Sequence, residues 1–174
     1  ITTKKGIVLG SMRTPQRQIE VDIMEAVLKG LGVSPIYRVK EQEGGGFLEG
    51  GDFFPMGDYC LLGIGSRTDK AGAMQLLEND VFGVDTVVFV YDPGSNQDRM
   101  HLDTYWNVLG PHGSVIQGDF CNPDLDALFP YIEVYEKEGG KYKKNIEMSG
   151  MRFYTFLTEE KDQVVVGVNG SMQD

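Results

Sequence analysis

Apolar positions switch between a period near 3.6 and short continuous runs, and the switches mark out the elements. Residues 5–10 (Lys-Gly-Ile-Val-Leu-Gly) read as a short strand. Thr14-Pro15 then reads as an N-cap followed by a first-turn proline. Ile19, Ile23, Ala26 and Val27 recur at i, i+4, i+7 and i+8, which predicts a helix with that face in the core. Gly32 and Pro35 end it, and residues 36–39 are a second strand. Two apolar runs, 53–56 and 59–64, flank Gly57-Asp58 and predict a hairpin. Ser66 or Thr68 should cap the next helix, with Met74, Leu77 and Val81 facing inward and Gly83 closing it. The run Thr-Val-Val-Phe-Val-Tyr at 86–91 has the length and composition of a strand buried on both faces.

Beyond residue 104 the signal is weaker. Residues 105–109 and 114–117 predict a strand pair around Gly110-Pro111-His112-Gly113, and Asn122-Pro123-Asp124 a short helix. Residues 131–135, 152–157 and 163–168 read as strands, and 137–144 as a charged loop. The recurring order of strand, strand, helix, strand predicts an α/β class with mixed sheets, in one domain over residues 1–174.

The length of 174 residues suits a single core. A net charge of −10 leaves no basic stripe for phosphate contacts, so nucleic acid is not an expected partner. Neither is a membrane, since no run approaches the roughly 18 apolar residues of a spanning helix. Two cysteines, Cys60 and Cys121, do not form a disulfide framework, which fits a reducing, cytoplasmic setting. No HxxxH or CxxC spacing predicts a metal site, and no cofactor is expected. The chain begins Ile1-Thr2-Thr3, without an initiator Met, as a piece of a longer chain would.

Two short blocks carry the candidate chemistry. Glu49-Gly50-Gly51-Asp52 sets a carboxylate at the end of an apolar run, before two glycines that permit close backbone approach. About fifty residues later, His101-Leu102-Asp103-Thr104 sets an imidazole two positions from a carboxylate. If that segment is extended, His101 and Asp103 share a side. Carboxylates beside an imidazole suit a guanidinium ligand, a planar cation with five N–H donors that stays protonated below a pH of ~12. Arg67, at a strand-to-helix junction, could grip a substrate carboxylate with its fork, and Arg17 is a second candidate. Each of these residues also has a purely structural reading, as a turn, a satisfied His–Asp pair or a surface ion pair. His112 reads as a surface turn residue and Cys60 as a buried, inert thiol.

Taken in order, Leu48-Glu49-Gly50-Gly51-Asp52, the run Leu62-Gly63-Ile64-Gly65-Ser66-Arg67-Thr68 and Met100-His101-Leu102-Asp103-Thr104 strongly resemble arginine deiminases, members of the guanidine-modifying pentein superfamily. Arg17-Gln18-Ile19-Glu20 is similar to a stretch opening an earlier helix in that family. The likeness spans residues 13–104 and fades after 114. It implies a pentein-type α/β propeller of ββαβ units, here incomplete. It also implies cofactor-free hydrolysis of arginine to citrulline and ammonia through a cysteine thiolate. By position, His101 would carry the proton, with Glu49 as its acidic partner and guanidinium contact. Asp103 would hold the guanidinium nitrogens, and Arg67, with Arg17, the substrate carboxylate. The family's nucleophilic cysteine sits in a Gly-rich C-terminal segment that has no counterpart before Asp174, so the isolated chain is expected to be inactive. A non-catalytic guanidino-binding module is the alternative, with amidino transfer or dimethylarginine hydrolysis as further ones. An incomplete ring exposes apolar faces, so a homo-oligomer, or association with missing segments of the parent chain, is expected.

Overall fold

A computed structural model describes residues 1–92, 99–110, 112–117 and 129–168. Its strands are β1 (Val8–Leu9), β2 (Tyr37–Arg38), β3 (Phe53–Pro55), β4 (Tyr59–Ile64), β5 (Thr86–Tyr91), β6 (Trp106–Val108), β7 (Gly113–Gln117), β8 (Tyr131–Glu138), β9 (Lys141–Met148) and β10 (Val164–Val168). Its α-helices are α1 (Gln18–Gly30), α2 (Lys70–Glu78) and α3 (Gly150–Thr155). The strands form three open sheets: β1-β2, β10-β7-β6, and a mixed five-stranded sheet in the order β3-β4-β5-β8-β9. The class is α/β with mixed sheets, as expected, but the described sheets do not close into a ring.

The five-stranded sheet is built on β4 and β5, which run parallel with Leu61 opposite Val88. Their alternating side chains feed two cores. Leu61, Val88 and Val90 pack on one face with Trp106, Phe153 and Phe156. Cys60, Leu62, Val87 and Phe89 pack on the other with Ala73, Leu76 and Leu77 of α2. Burial on both faces explains why these strands read as continuous apolar runs. Two parallel strands also end at the same edge, so the loops after Ile64 and Tyr91 emerge together. The 3-10 turn Gly50–Asp52 opens β3 at this edge too, because Phe53 pairs with Leu62.

Several expectations change. The expected core face of α1 points outward: Ile19, Ile23 and Val27 are 62%, 57% and 51% exposed, and Val21 alone is buried. The helix rests on the narrow β1-β2 sheet, which covers only one edge of it, beside a cavity of about 390 Å³ that Val21, Met24 and Leu28 help to line. The cap of α2 is Asp69, not Ser66 or Thr68. Its Oδ1 accepts the Gly72 N–H at 2.8 Å and the Phe47 N–H at 3.1 Å. Met74 is half-buried, and Val81 is buried beyond the helix end. Residues 137–144 are no loop but the heart of the β8-β9 hairpin, turned by Gly139 and Gly140 at φ 59° and 83°. Alternating charge along β9 hid its period. Residues 152–157 belong to α3 and a following π-helical turn, not a strand, because Phe153, Phe156 and Leu157 recur at helical spacing and are all buried. The helix expected at Asn122 lies outside the described residues.

The least apolar part of this interior is Glu133 on β8, 1% exposed. Its carboxylate accepts from Lys70 Nζ at 2.9 Å, Tyr91 OH at 2.6 Å, Tyr131 OH at 2.9 Å and Tyr135 OH at 3.0 Å. Burial alone would raise its pKa, but these donors outweigh burial and hold the pKa down at about 2. Depressed below the ordinary 4.5, the group stabilises the fold above that pH, and the contribution is lost as pH falls toward 2. Replacing Glu133 by Ala takes the acceptor from the Tyr91 and Tyr135 phenols and the partner from Lys70, while Tyr131 keeps Glu147, and should cost on the order of 2 kcal/mol in urea unfolding at pH 7. The difference from wild type should shrink on acidification from pH 4.5 toward 2. A loss under about 0.5 kcal/mol at pH 7 would show that the cluster does not hold the sheet.

Candidate active site

The site forms at the shared edge of β4 and β5. Glu49 precedes the Gly50–Asp52 turn with extended backbone, at φ −116° and ψ 145°. Its own N–H donates to Thr68 Oγ1 at 3.0 Å, which ties the turn to the loop after β4. The side chain is 2% exposed yet well supplied with donors. His101 Nε2 lies 3.0 Å from Oε2, and Arg17 Nη1 donates to the same oxygen at 2.7 Å. The Arg13 backbone N–H donates to Oε1 at 3.1 Å, and Arg67 Nη1 stands 3.8 Å from it. An ionised carboxylate only accepts, so this geometry places a proton on His101 Nε2.

All five sequence candidates therefore meet around one carboxylate or its immediate neighbours. His101 is held by its backbone: its C=O accepts from Thr104 Oγ1 at 2.7 Å as the chain enters the 3-10 turn Leu102–Thr104. That turn corrects the expected extended segment. Asp103 is exposed, and the carboxylate facing the imidazole nitrogen is Glu49. Even so, His101 and Asp103 lie on the same side of the turn, against Gly51. A Cβ built on Gly51 would sit 2.8 Å from Asp103 Oδ2 and 2.9 Å from His101 Cγ. Gly51 thus brings the two motifs into contact, which explains why a side chain is missing there.

Thr14 is the N-cap residue of the 3-10 turn Pro15–Arg17 that leads into α1, with Pro15 in its first turn as expected, but its hydroxyl makes no cap bond and accepts instead from Arg67 Nη1 at 2.7 Å. Arg17 also pairs with Glu20, at 2.9 and 3.0 Å. Those contacts leave Arg17 bridging an exposed carboxylate and a buried one. The sequence offered Thr14 and Thr68 only as helix caps and Asp52 only as the end of its motif, since nothing local shows the distant groups that they hold. Asp52 is 3% exposed, and its Oδ1 accepts the Leu102 N–H at 2.9 Å.

Among the described residues no group of three or more His, Cys, Asp or Glu side chains is placed to hold a metal ion. Cys60 is fully enclosed in β4, and burial pushes its thiol well above the ordinary range, so it is no nucleophile. His112 is exposed on its turn, 3.9 Å from Asp162, and takes no part in the site. Cys121 lies outside the described residues.

The profile of the family described as arginine deiminase matches residues 1–170. An arginine deiminase of Halobacterium salinarum is 27% identical over 220 residues, an alignment spanning 94% of this chain and 44% of the relative. The chain therefore spans less than half the length of that curated relative. Among solved structures, the N-terminal domain of ArgZ, an arginine dihydrolase of cyanobacteria bound to product, superposes with a TM-score of 0.60 at 14% identity, over 95% of this chain and 50% of that one. A dimethylarginine dimethylaminohydrolase adduct superposes with a TM-score of 0.54 at 21% identity, over 71% of this chain and 47% of that one. Both likenesses are of fold.

The two glycines should respond differently to substitution. Gly51→Ala must push apart the His101 and Asp103 contacts and should cost about 2 kcal/mol, as overpacking does. Gly50→Ala meets nothing nearer than Ile1 Cγ2 at 4.0 Å and should change stability by less than about 0.5 kcal/mol. Urea unfolding of both variants checks this, and equal effects would contradict the packing of the two turns.

Proposed function

This chain belongs to the arginine deiminase family, and on that footing we propose that it supplies the histidine and carboxylate side of a site that hydrolyses the guanidinium of arginine to citrulline and ammonia. The observation that carries the reading is the double engagement of Glu49. One buried carboxylate receives His101 Nε2 and a guanidinium N–H on the same oxygen. A substrate guanidinium requires that same acceptor, held away from competing water.

In this reading Glu49 and Asp103 accept from the guanidinium nitrogens. Arg67, steadied by Thr14, holds the α-carboxylate, and Arg17 assists after releasing Glu49. A cysteine thiolate of the parent protein attacks the guanidinium carbon. His101 delivers a proton to the departing nitrogen, which leaves as ammonia. It then takes a proton from the water that resolves the covalent intermediate to the ureido product. Glu49 keeps the imidazole oriented through both transfers. Cys60 is inert, so no described residue of this chain supplies the nucleophile, and hydrolysis requires a thiol outside the described residues. The exposed stripe Ile19, Ile23 and Val27 on α1 gives the chain a reason to associate with further copies or with further segments of the parent protein.

Calorimetric titration tests the binding half. Arginine should bind the wild-type chain. Glu49→Ala and His101→Ala should abolish that binding, and any hydrolysis by the parent protein. Arg67→Ala should weaken arginine at least tenfold while changing agmatine, which lacks the carboxylate, less than about threefold, as loss of one charge-assisted pair implies. Undiminished affinity in the Glu49 variant, or equal losses for both ligands in the Arg67 variant, would contradict the assignment.

A further inference from the structure

We infer that Asp52 is a positioning residue for this site, setting where His101 and Asp103 stand by holding the Leu102 N–H from inside the Gly50–Asp52 turn. Its chemical meaning rests on the guanidine-site reading, but its geometry does not.

Besides the His101–Glu49 contact itself, the two motifs meet at two points. One is the open space at Gly51. The other is the bond from the Leu102 N–H to Asp52 Oδ1, buried at both ends and 2.9 Å long. Leu102 lies between His101 and Asp103 and is itself 2% exposed. Fixing its amide fixes the first residue of the 3-10 turn, and so the direction in which both flanking side chains leave the backbone. Gly63 of β4 makes room for the arrangement, since a Cβ there would lie 2.6 Å from Asp52 Oδ1 and 3.0 Å from the Leu102 Cβ. Glu49 is positioned from the other side, through its own N–H on Thr68. The His101–Glu49 contact is therefore the product of two backbone anchors, one on each partner.

A neutral acceptor would suffice to hold an amide. An aspartate here is costly, because Oδ2 is buried with no hydrogen-bond partner among the described residues. Burial pushes the Asp52 carboxyl up to about 6. The Thr68 hydroxyl, the Leu102 N–H and His101 pull it back, and Asp103 adds to the rise. The phenol of Tyr105, itself pushed up by burial, also senses the Asp52 charge. With its folded value above the ordinary 3.8, Asp52 favours the fold at low pH, and that contribution is lost as pH rises from 3.8 to about 6. A residue kept only for stability would not carry this sign. An acid retained at such a position, beside the Asp103 carboxylate and the His101 imidazole, fits a role in the site.

The test compares Asp52→Ala, which removes the acceptor, with Asp52→Asn, which keeps an oxygen for Leu102 and removes the charge. Readouts are amide hydrogen exchange at Leu102, the His101 imidazole nitrogen shifts in the ligand-free chain, and arginine titration. Asp52→Ala should accelerate Leu102 exchange at least tenfold, move the His101 shifts and weaken arginine at least tenfold. Asp52→Asn should keep Leu102 exchange within about threefold of wild type and leave the His101 shifts nearer to wild type than Ala does. It should also flatten the fall in thermal midpoint between pH 4 and 6. If Asp52→Ala does not fold, Asp52→Asn still decides through its exchange and pH profile. Wild-type exchange and His101 shifts in Asp52→Ala would overturn the inference. So would an Asp52→Asn variant that loses Leu102 protection, or keeps the full pH slope. Failure of the wild-type chain to bind arginine, with Leu102 and His101 still responding to Asp52→Ala, would overturn the guanidine reading and leave the positioning role established.

Discussion

The rest of the site's geometry depends on the contact between the Glu49 carboxylate and the His101 imidazole. A carboxylate that is 2% exposed persists only if its lost hydration is replaced. Here it is replaced by Arg17, the Arg13 N–H and His101, with Arg67 close by. Those donors come from the start of α1, the loop before it, the loop after β4 and the loop after β5. One buried charge thus draws together four segments distant in sequence, and a ligand cation entering there meets an acceptor already held in place.

The sheet makes this possible. Parallel pairing of β4 with β5 sends both following loops out at one edge, and antiparallel pairing of β3 with β4 brings the Glu-Gly-Gly-Asp turn to the same edge. Behind it, Glu133 performs the opposite task. It joins β5, β8 and α2 through Tyr91, Tyr135 and Lys70, and its full set of donors makes it a stabilising acid. At Asp52 one buried oxygen, Oδ2, has no hydrogen-bond partner among the described residues, and burial raises its pKa. The contrast separates a carboxylate that holds the fold from one that serves the site.

The site was legible in the sequence to the extent that its residues sit in unusual local company. Glu49 before two glycines, and His101 two positions from Asp103, stood out because paired glycines and clustered ionisable groups are uncommon in ordinary turns. Arg67 was legible from its place after a strand. The anchoring contacts were not: Thr14 and Thr68 read as caps and Asp52 as the end of a motif, whereas they act through contacts that cross 53, 19 and 50 residues, and a local pattern carries no such information. The fold divided along similar lines. Apolar runs such as Thr86–Tyr91 announced themselves, whereas β9, with its exposed lysines, resembled a loop. The apolar face of α1 was recognised but its direction was not, since periodicity shows that a face exists and not what covers it.

The central claim is that Glu49 and His101 form a ready receptor for a guanidinium. The most direct measurement is nuclear magnetic resonance of the Glu49 side-chain carboxyl carbon and the His101 ring nitrogens during titration with arginine and, separately, ornithine. Ornithine carries the same α-amino acid head without a guanidinium. Saturable shifts of both groups with arginine, and none of that size with ornithine, are the expected result. Unchanged resonances with arginine, or equal shifts with both ligands, would contradict it.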